Sequence, residues 1–290
     1  MHLTNKYGLP KSIEDTISRQ IYNNEDTTAF SVTQIIDSPK IVQLRKRHFN
    51  EITEDISERI WALLGSATHA ILEKSTAEGR SVEQYFKVSM NDLTLSGVSD
   101  LLEDGTLSDF KVTSVWSIIL EGGEGKKEWK NQLNCYAYLW RTEKKVDIKK
   151  LQVIAILRDW VKSKALQDPD YPRIPLIVIN VPLWTEAEQK EYIANRLLLH
   201  KTYINFTDDL IPACSEEERW HKPDTYAVMK PEGKKAVRVL NSLKEAEDHI
   251  TALGLKNLSI AKRDGGDKRC EEYCSLTPFC NFFKEKYGHK

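Results

Sequence analysis

An Asp-Gly pair at Asp104 and Gly105 constrains the fold of this chain more than any other short segment. Asp-Gly between alternating residues favours a two-residue type I′ turn, and such a turn fixes the pairing register of both flanking strands. Counting outward from the turn places Asp100 directly opposite Asp109. Directly opposed residues share one face of a sheet, with Cβ atoms about 5 Å apart. The sequence therefore predicts two carboxylates that meet across a hairpin.

This pair of carboxylates needs a counter-charge, because like charges opposed across a hairpin destabilise it. A hard divalent cation between Asp100 and Asp109 removes the repulsion, and oxygen ligands suit Mg²⁺. Lys111 lies two residues beyond Asp109, so the period of two in a strand places it on the same face. There it can orient or deprotonate a metal-bound water. The alternative is an ordinary solvated hairpin face that carries Asp and Lys.

The composition is that of a globular protein. The chain has 290 residues, 40% of them hydrophobic and 29% charged, which fits one large domain or two small ones. Its net charge of −1 and pI of about 6.7 give no global signature of nucleic-acid binding. A nucleic-acid partner would therefore require a local basic groove. Basic clusters occur at Lys40–His48, Lys126–Lys127 and Lys230–Arg238.

Neither a membrane span nor a secretory signal is visible. The longest apolar run, Ile174–Trp184, is too short to cross a bilayer and contains two prolines. The N-terminal segment has no apolar core of the kind that signal peptides carry. We expect a reducing cytoplasm, in a bacterium or a phage-infected cell. The five cysteines are then expected to be free or metal-bound rather than disulfide-bonded.

Hydrophobic periodicity predicts an α/β chain in three parts. Residues 1–50 read as a helical flank, residues 51–207 as the core, and residues 208–290 as an appendage with a cysteine cluster. The predicted core begins with an amphipathic helix whose apolar stripe includes Ile56, Leu64 and Ile71. Three strands, a helix at residues 128–143 and a buried strand at residues 151–157 follow. We expect a central sheet flanked by helices.

Three other side chains are candidates for the same site. His69 lies on the helix before the sheet and can bind the same cation if that helix packs beside the hairpin; otherwise it is a surface histidine. Gln132 and Tyr136 are spaced i, i+4 and share one helix face. They either reach a phosphate or the reacting water, or form an ordinary helix surface. Glu73, one turn after His69, is an outer ligand or a solvated charge.

In this order the motifs resemble those of a known family. His69 precedes Gly97-Val98-Ser99-Asp100, then Asp109-Phe110-Lys111, then Gln132 with Tyr136 four residues on. Residues 55–140 are therefore similar to the PD-(D/E)XK nuclease superfamily, in particular its RecB-like exonuclease branch of the phage and CRISPR-associated type. That branch carries a helical His, G-x-x-D, D-x-K and Q-x-x-x-Y. The resemblance implies a restriction-endonuclease-like core, in which a mixed sheet is flanked by helices.

The resemblance also implies roles and partners. It assigns metal ligation to four groups: His69, Asp100, Asp109 and the carbonyl of Phe110. It assigns water activation to Lys111 and positioning of substrate or water to Gln132 and Tyr136. The implied activity is Mg²⁺- or Mn²⁺-dependent hydrolysis of DNA, most simply by an exonuclease acting on ends or single strands in recombination, repair or phage DNA metabolism. A homo-oligomer or a recombination partner protein is compatible with it. The alternative is a non-catalytic DNA-binding or scaffolding protein.

The C-terminal cysteines suggest a second metal group. Cys270, Cys274 and Cys280 lie close together in the sequence and need a fourth ligand. RecB-like exonucleases often carry a four-cysteine [4Fe–4S] cluster with a C-x2-C-x5-C trio. Here the first gap is one residue longer, and Ser38 stands where the family has its early cysteine. Cys214 is the best substitute. A [4Fe–4S] cluster, Zn²⁺ and free thiols remain the three alternatives.

Overall fold

The computed structural model describes residues 1–23, 26–90, 92–119, 125–255 and 257–288. The chain divides into two compact units, an N-terminal unit (Met1–Ile211) and a C-terminal unit (Pro212–Lys290). The boundary lies shortly after the end of the core expected from the sequence, residue 207. Each unit has its own sheet and helices.

The described part of the N-terminal unit is a mixed α/β structure. Its strands are β1 (His2–Thr4), β2 (Ala29–Ser31), β3 (Thr53–Asp55), β4 (Arg80–Met90), β5 (Leu93–Glu103), β6 (Thr106–Thr113), β7 (Lys150–Leu157) and β8 (Leu176–Val181). Its α-helices are α1 (Lys11–Arg19), α2 (Val32–Ile36), α3 (Pro39–Arg47), α4 (Ile60–Leu72), α5 (Val115–Ile119), α6 (Lys127–Lys144), α7 (Lys162–Gln167) and α8 (Glu186–Thr202).

The central sheet has the strand order β2-β5-β6-β7-β8, with β4 also paired to β5. Strand β2 is parallel to β5 and β6 is parallel to β7, whereas the other pairs are antiparallel. The fold class is therefore α/β with a mixed central sheet flanked by helices, as the sequence predicted at this level. The buried strand expected at residues 151–157 is β7, and it lies between β6 and β8.

The Asp104-Gly105 turn forms as predicted. Both residues have positive φ angles, 49° and 78°, as a type I′ turn requires. The turn pairs Leu102 with Leu107, so the register that opposes Asp100 to Asp109 is confirmed up to the last paired residues, Leu101 and Ser108. The two carboxylates follow immediately beyond the end of this ladder.

Strand β5 has an unpaired stretch on one edge. Because β4 pairs along the whole of one edge of β5, β2 and β6 both lie along the other edge. There β2 pairs with residues 94–96 and β6 with residues 101–103. Residues 97–100, the G-x-x-D segment, lie between the two ladders. The sheet is therefore open on this edge at the residues that the motif names.

Helix α6 fills the centre of the core. It is the helix predicted at residues 128–143, and it buries Leu133, Ala137 and Trp140. Helices α2 and α8 pack against it. Helix α8 begins with a capping box, in which the Thr185 side chain accepts from the Glu188 N–H and the Glu188 carboxylate accepts from the Thr185 N–H.

The apolar helix predicted at the start of the core lies at the surface instead. Ile56 is buried in a short 3₁₀ turn, but none of the residues of α4 is buried. Trp61 is 57% exposed and Ile71 is 68% exposed. The apolar stripe that includes Leu64 and Ile71 is therefore present on α4 but exposed. Periodicity identifies an apolar helix face, but it does not show whether another element covers that face.

Residues 1–50 do not form a separate helical flank. Strand β2 joins the central sheet beside β5, and Phe30, Val32 and Ile35 belong to the main hydrophobic core. The helical part of this segment is α2 and α3, which Asp37 and Ser38 separate. A three-residue strand that pairs with a partner more than sixty residues away leaves little local signal, so the sequence does not reveal it.

The C-terminal unit is a small α/β structure. Its described elements are β9 (His221–Lys222), β10 (Thr225–Met229), β11 (Ala236–Leu240), α9 (Leu243–Leu253), β12 (Ser259–Arg263), β13 (Gly266–Asp267), α10 (Lys268–Glu272) and α11 (Asn281–Tyr287). Strands β10 and β11 form an antiparallel hairpin, and Glu232 between them has a φ of 58°. Within the described ranges of the whole chain, the helices lack the combined length and hydropathy that a membrane span requires.

Candidate functional site

The two aspartates predicted to oppose each other lie at the opening in the sheet. Asp100 and Asp109 are both buried. The N–H of Phe110 donates to Asp100 Oδ2 at 2.7 Å. The β5–β6 ladder ends at Leu101 and Ser108, so the Asp100 carboxylate replaces a strand partner for the Phe110 N–H. This bond holds Asp100 in place relative to β6.

Lys111 lies between the carboxylates and helix α6. Its Nζ is 2.8 Å from Asp109 Oδ2 and donates to Gln132 Oε1 at 3.1 Å. Two partners on different elements fix the position of the ammonium group. The D-x-K and Q-x-x-x-Y motifs, twenty-one residues apart from Lys111 to Gln132, therefore meet at one nitrogen atom.

His69 reaches the site from α4. Its Nδ1 lies 3.6 Å from Asp100 Oδ1 and 3.3 Å from Glu83 Oε1. The imidazole also packs edge-on against the Phe110 ring, with ring centroids 6.3 Å apart. Phe110, predicted to offer its carbonyl, is therefore tied to the site by its N–H and its ring. Glu73, one turn beyond His69, is exposed, which fits its reading as a solvated charge.

Glu83 is a member of the site that the sequence analysis missed. One ligand atom from each of His69, Glu83 and Asp100 lies within 4.8 Å of the other two. The register of β4 and β5 pairs Val82 with Leu101 and Gln84 with Ser99, so Glu83 lies opposite Asp100. Its φ is 48°, a left-handed conformation that costs a non-glycine residue about 1–3 kcal/mol.

Gln132 and Tyr136 are buried rather than exposed to a substrate. Gln132 supports Lys111. The Tyr136 ring packs on Gly97, where an added Cβ would lie 2.8 Å from the ring carbon Cε1. The first glycine of the G-x-x-D motif therefore makes room for the tyrosine of the Q-x-x-x-Y motif. Gln132 therefore positions Lys111, and Tyr136 packs against the strand that carries Asp100.

The electrostatics of the site favour a bound cation or a bound proton. Burial, and next the neighbouring Asp109 carboxylate, raises the pKa of Asp100 to about 7, although His69, the Phe110 N–H and Lys111 act to lower it. Burial and the Asp109 carboxylate also raise the pKa of Tyr136 above its ordinary value. The neighbouring positive groups therefore do not offset the negative charge of the Asp100 carboxylate, and a bound cation or proton would.

The side chains present fit a divalent metal ion. Asp109 Oδ2 is buried and accepts no hydrogen bond of standard geometry from the described residues; its ion-pair contact is the Lys111 ammonium. Carboxylates from Glu83 and Asp100 converge with the His69 imidazole, and the Asp109 carboxylate is near enough to Asp100 to raise its pKa. Carboxylate oxygens suit Mg²⁺ and Mn²⁺, and imidazole is a further ligand for transition metals.

The C-terminal unit brings the predicted cysteine ligands near one another. Burial raises the pKa of Cys270 to about 12, and the neighbouring thiols of Cys274, Cys214 and Cys280 act in the same direction. Cys214, chosen from the sequence as the fourth ligand, is therefore close enough to Cys270 to affect its ionisation. Cys135 is separate and lies in the core of the N-terminal unit, as expected.

Buried Asp267 ties together the chain segments around these cysteines. Its Oδ1 lies 2.8 Å from His221 Nδ1 and 3.3 Å from Arg219 Nε. Its Oδ2 lies 2.8 Å from Lys286 Nζ and accepts a hydrogen bond from Tyr287 at 3.0 Å. Although burial opposes it, these partners hold the pKa of Asp267 well below its ordinary value.

Comparison with known proteins identifies no family for this chain. No family model matches the chain, and no curated protein matches it. A similar solved structure is described as the crystal structure of SSO0001, with a TM-score of 0.41 and 18% sequence identity over 65% of this chain and 82% of that chain. At this level of similarity the match carries no functional assignment.

Proposed function

We propose that this chain is a metal-dependent nuclease of the PD-(D/E)XK superfamily, in its RecB-like exonuclease branch, and that it hydrolyses phosphodiester bonds in DNA. The observation that supports the proposal is the convergence of side chains from α4, β4, β5, β6 and α6 around the buried carboxylates of Asp100 and Asp109. Burying two carboxylates beside a lysine costs desolvation free energy, and a purely structural role would not require it.

The residues that would hold the metal ion are His69, Glu83, Asp100 and Asp109. A bound Mg²⁺ or Mn²⁺ supplies Lewis-acid polarisation of the scissile phosphate and lowers the pKa of a bound water. The chain contributes the fixed arrangement of these ligands, which the Phe110 N–H maintains at Asp100. Such preorganisation avoids reorganisation during the reaction.

Lys111 is the residue proposed to act on the reacting atoms. Its ammonium is held by an ion pair with Asp109 and a hydrogen bond to Gln132, which leaves an N–H donor for the reacting atoms. That donor orients the attacking water and offsets the negative charge that develops on the phosphate oxygens. Gln132 holds the Lys111 ammonium, and Tyr136 packs on Gly97 of the strand that carries Asp100. They are positioning residues.

A cleavage assay tests this proposal. End-labelled linear and circular DNA, single-stranded and duplex, are incubated with the native chain in Mg²⁺ or Mn²⁺. We expect linear DNA to be degraded and circular DNA to resist, as for an exonuclease. Lys111→Ala is expected to lower the rate by roughly 10²–10³-fold, the usual effect of removing one preorganised donor.

The matched control is Lys150→Ala, which removes an exposed lysine from the neighbouring strand β7. It should leave the rate unchanged. A native chain that binds DNA but cleaves none of these substrates in either metal would instead support a DNA-binding or scaffolding role. Cleavage that survives Lys111→Ala would show that the activity belongs to another site.

We also propose that Cys214, Cys270, Cys274 and Cys280 share one metal group, a [4Fe–4S] cluster with Zn²⁺ as the alternative. Four cysteine thiolates suit either group, because both Zn²⁺ and iron–sulfur clusters are held by Cys₄ sets. Iron, sulfide and zinc analysis after anaerobic purification distinguishes the two groups.

A further inference from the structure

A basic cavity lies on the same face of the sheet as the carboxylate site. Its volume is about 540 Å³, within the ~300–1,000 Å³ typical of ligand pockets. It is formed by β2, β4, β5, α2 and the end of α3. The lining residues used below are Arg45, Lys46, Phe49, Tyr85 and Lys87.

The cavity is connected to the carboxylates by one face of the β4–β5 ribbon. Tyr85 is paired with Val98 and Lys87 with Ser96, two and four residues along β5 from Asp100. Residues spaced by two share a face, and Tyr85, Lys87 and Val98 are exposed on it. Four residues of strand span about 13 Å at ~3.3 Å per residue. The exposed side chains of Tyr85, Lys87 and Val98 therefore lie along the strands between the site and the cavity.

The charge in this region is positive. Lys46 Nζ donates to the backbone carbonyls of Asp26 and Ala29 at 2.9 and 2.8 Å, so its charge is fixed in the cavity wall. Lys87 is exposed and has no ion-pair partner among the described residues. Asp26 is the acidic residue in the lining. Arg45 is paired with Glu54, with Nη1 3.8 Å from Oε1. Lys46 and Lys87 outweigh Asp26, which favours an anionic ligand such as a phosphate backbone.

The same region presents aromatic rings. Tyr85 is 56% exposed, and Phe49 lines the cavity. Aromatic rings beside basic side chains are the combination that binds single strands, because unpaired bases stack on the rings while phosphates meet the cations. In a duplex the faces of the bases are covered by their neighbours.

We infer that a single nucleic-acid strand binds along the exposed face of β4 and β5, from the carboxylate site to this cavity, with a base stacked on Tyr85 and a phosphate paired with Lys87. The inference rests on the proposed function for the placement of the scissile bond. It adds the substrate form, a single strand, and the residues that bind it outside the site.

Binding without cleavage tests the inference. A fluorescently labelled oligothymidylate of about 16 nucleotides, at the upper end of the site sizes of single-strand-binding folds, is titrated with the full chain in EDTA. Tyr85→Ala should weaken binding by about tenfold or more, whereas Tyr85→Phe keeps the ring and should stay near the native affinity. A blunt duplex of equal length should bind more weakly than the single strand.

The contribution of Lys87 can be measured separately, from the salt dependence of the binding constant. Removing one phosphate contact to a single strand lowers the slope of log K against log[salt] by about 0.7 in magnitude, so Lys87→Ala should show this change. Lys190→Ala, which removes an exposed lysine from α8, is the matched control and should change neither slope nor affinity. Thermal denaturation of each variant verifies that it is folded.

The inference and the proposed function fail in different ways. Native affinity in both Tyr85→Ala and Lys87→Ala, or a duplex that binds as tightly as the single strand, would overturn the inference even if the chain is an active nuclease. Single-strand binding with the expected losses in both variants supports it, even if no metal ion supports cleavage.

Discussion

Gly97 and Tyr136 determine each other's position. A Cβ at residue 97 would lie 2.8 Å from Tyr136 Cε1 and 3.0 Å from its hydroxyl oxygen, closer than packed atoms allow. The contact joins β5 to α6 beside the unpaired edge of β5. It explains in physical terms why a glycine and a tyrosine on separate elements belong to the same site.

Gly97→Ala should therefore destabilise the protein by about 1–3 kcal/mol, the usual cost of overpacking a core contact. The matched control is Gly65→Ala on α4, where an added Cβ meets no atom within 4 Å. A helical glycine replaced by alanine stabilises by about 0.5–1 kcal/mol. Urea denaturation of both variants measures the difference. Equal stabilities would contradict the contact.

Glu83→Gly should separate stability from metal binding. Glycine adopts a φ of 48° without strain, and the substitution also removes a charge beside Asp100. We expect a higher melting temperature for the metal-free protein and weaker Mn²⁺ binding by calorimetry. A variant that binds Mn²⁺ as tightly as the native chain would remove Glu83 from the ligand set.

The Asp100 carboxyl should make the metal-free protein less stable as pH rises. Its pKa is raised from 3.8 to about 7 in the fold, so the folded state binds the extra proton. The stabilisation is complete below about pH 4 and is lost progressively towards pH 7. Urea denaturation measures the free energy of unfolding of the native chain and of Asp100→Asn at each pH in this range. The difference between the two free energies isolates the contribution of Asp100. A difference that does not change with pH would contradict it.

His69 should make the site prefer Mn²⁺ to Mg²⁺. Mg²⁺ binds oxygen ligands, whereas imidazole is a better ligand for the first-row transition metals. The native chain is therefore expected to bind Mn²⁺ more tightly, and His69→Ala should reduce that preference by weakening Mn²⁺ more than Mg²⁺. Calorimetric titration with each metal measures the ratio. An unchanged ratio would place His69 outside the ligand set.

The hairpin register was predictable because a two-residue turn fixes it by counting. From Asp104 and Gly105, the opposition of Asp100 and Asp109 follows with no knowledge of the rest of the fold. The same counting would have found Glu83. Residues 91 and 92 separate the paired residues Met90 and Leu93, and Asn-Asp is also a turn signal. Counting back from that pair places Glu83 opposite Asp100.

Other features depend on long-range packing that no local pattern encodes. The contact of Lys111 with Gln132 was not predicted, since the helix could have presented either face to the site. The exposure of Ile71 also depends on which elements cover α4. Cys214 was the best substitute for the missing fourth cysteine, and in the fold it is near enough to Cys270 to raise the pKa of that thiol.

The most direct test of the central claim is anomalous diffraction from a crystal of the full chain soaked in Mn²⁺. The account predicts a manganese peak bound by the carboxylates of Asp100 and Asp109, with His69 or Glu83 as a further ligand. In crystals of Asp109→Asn the peak should weaken or disappear. A strong manganese site elsewhere, with none between these two aspartates, would contradict the account.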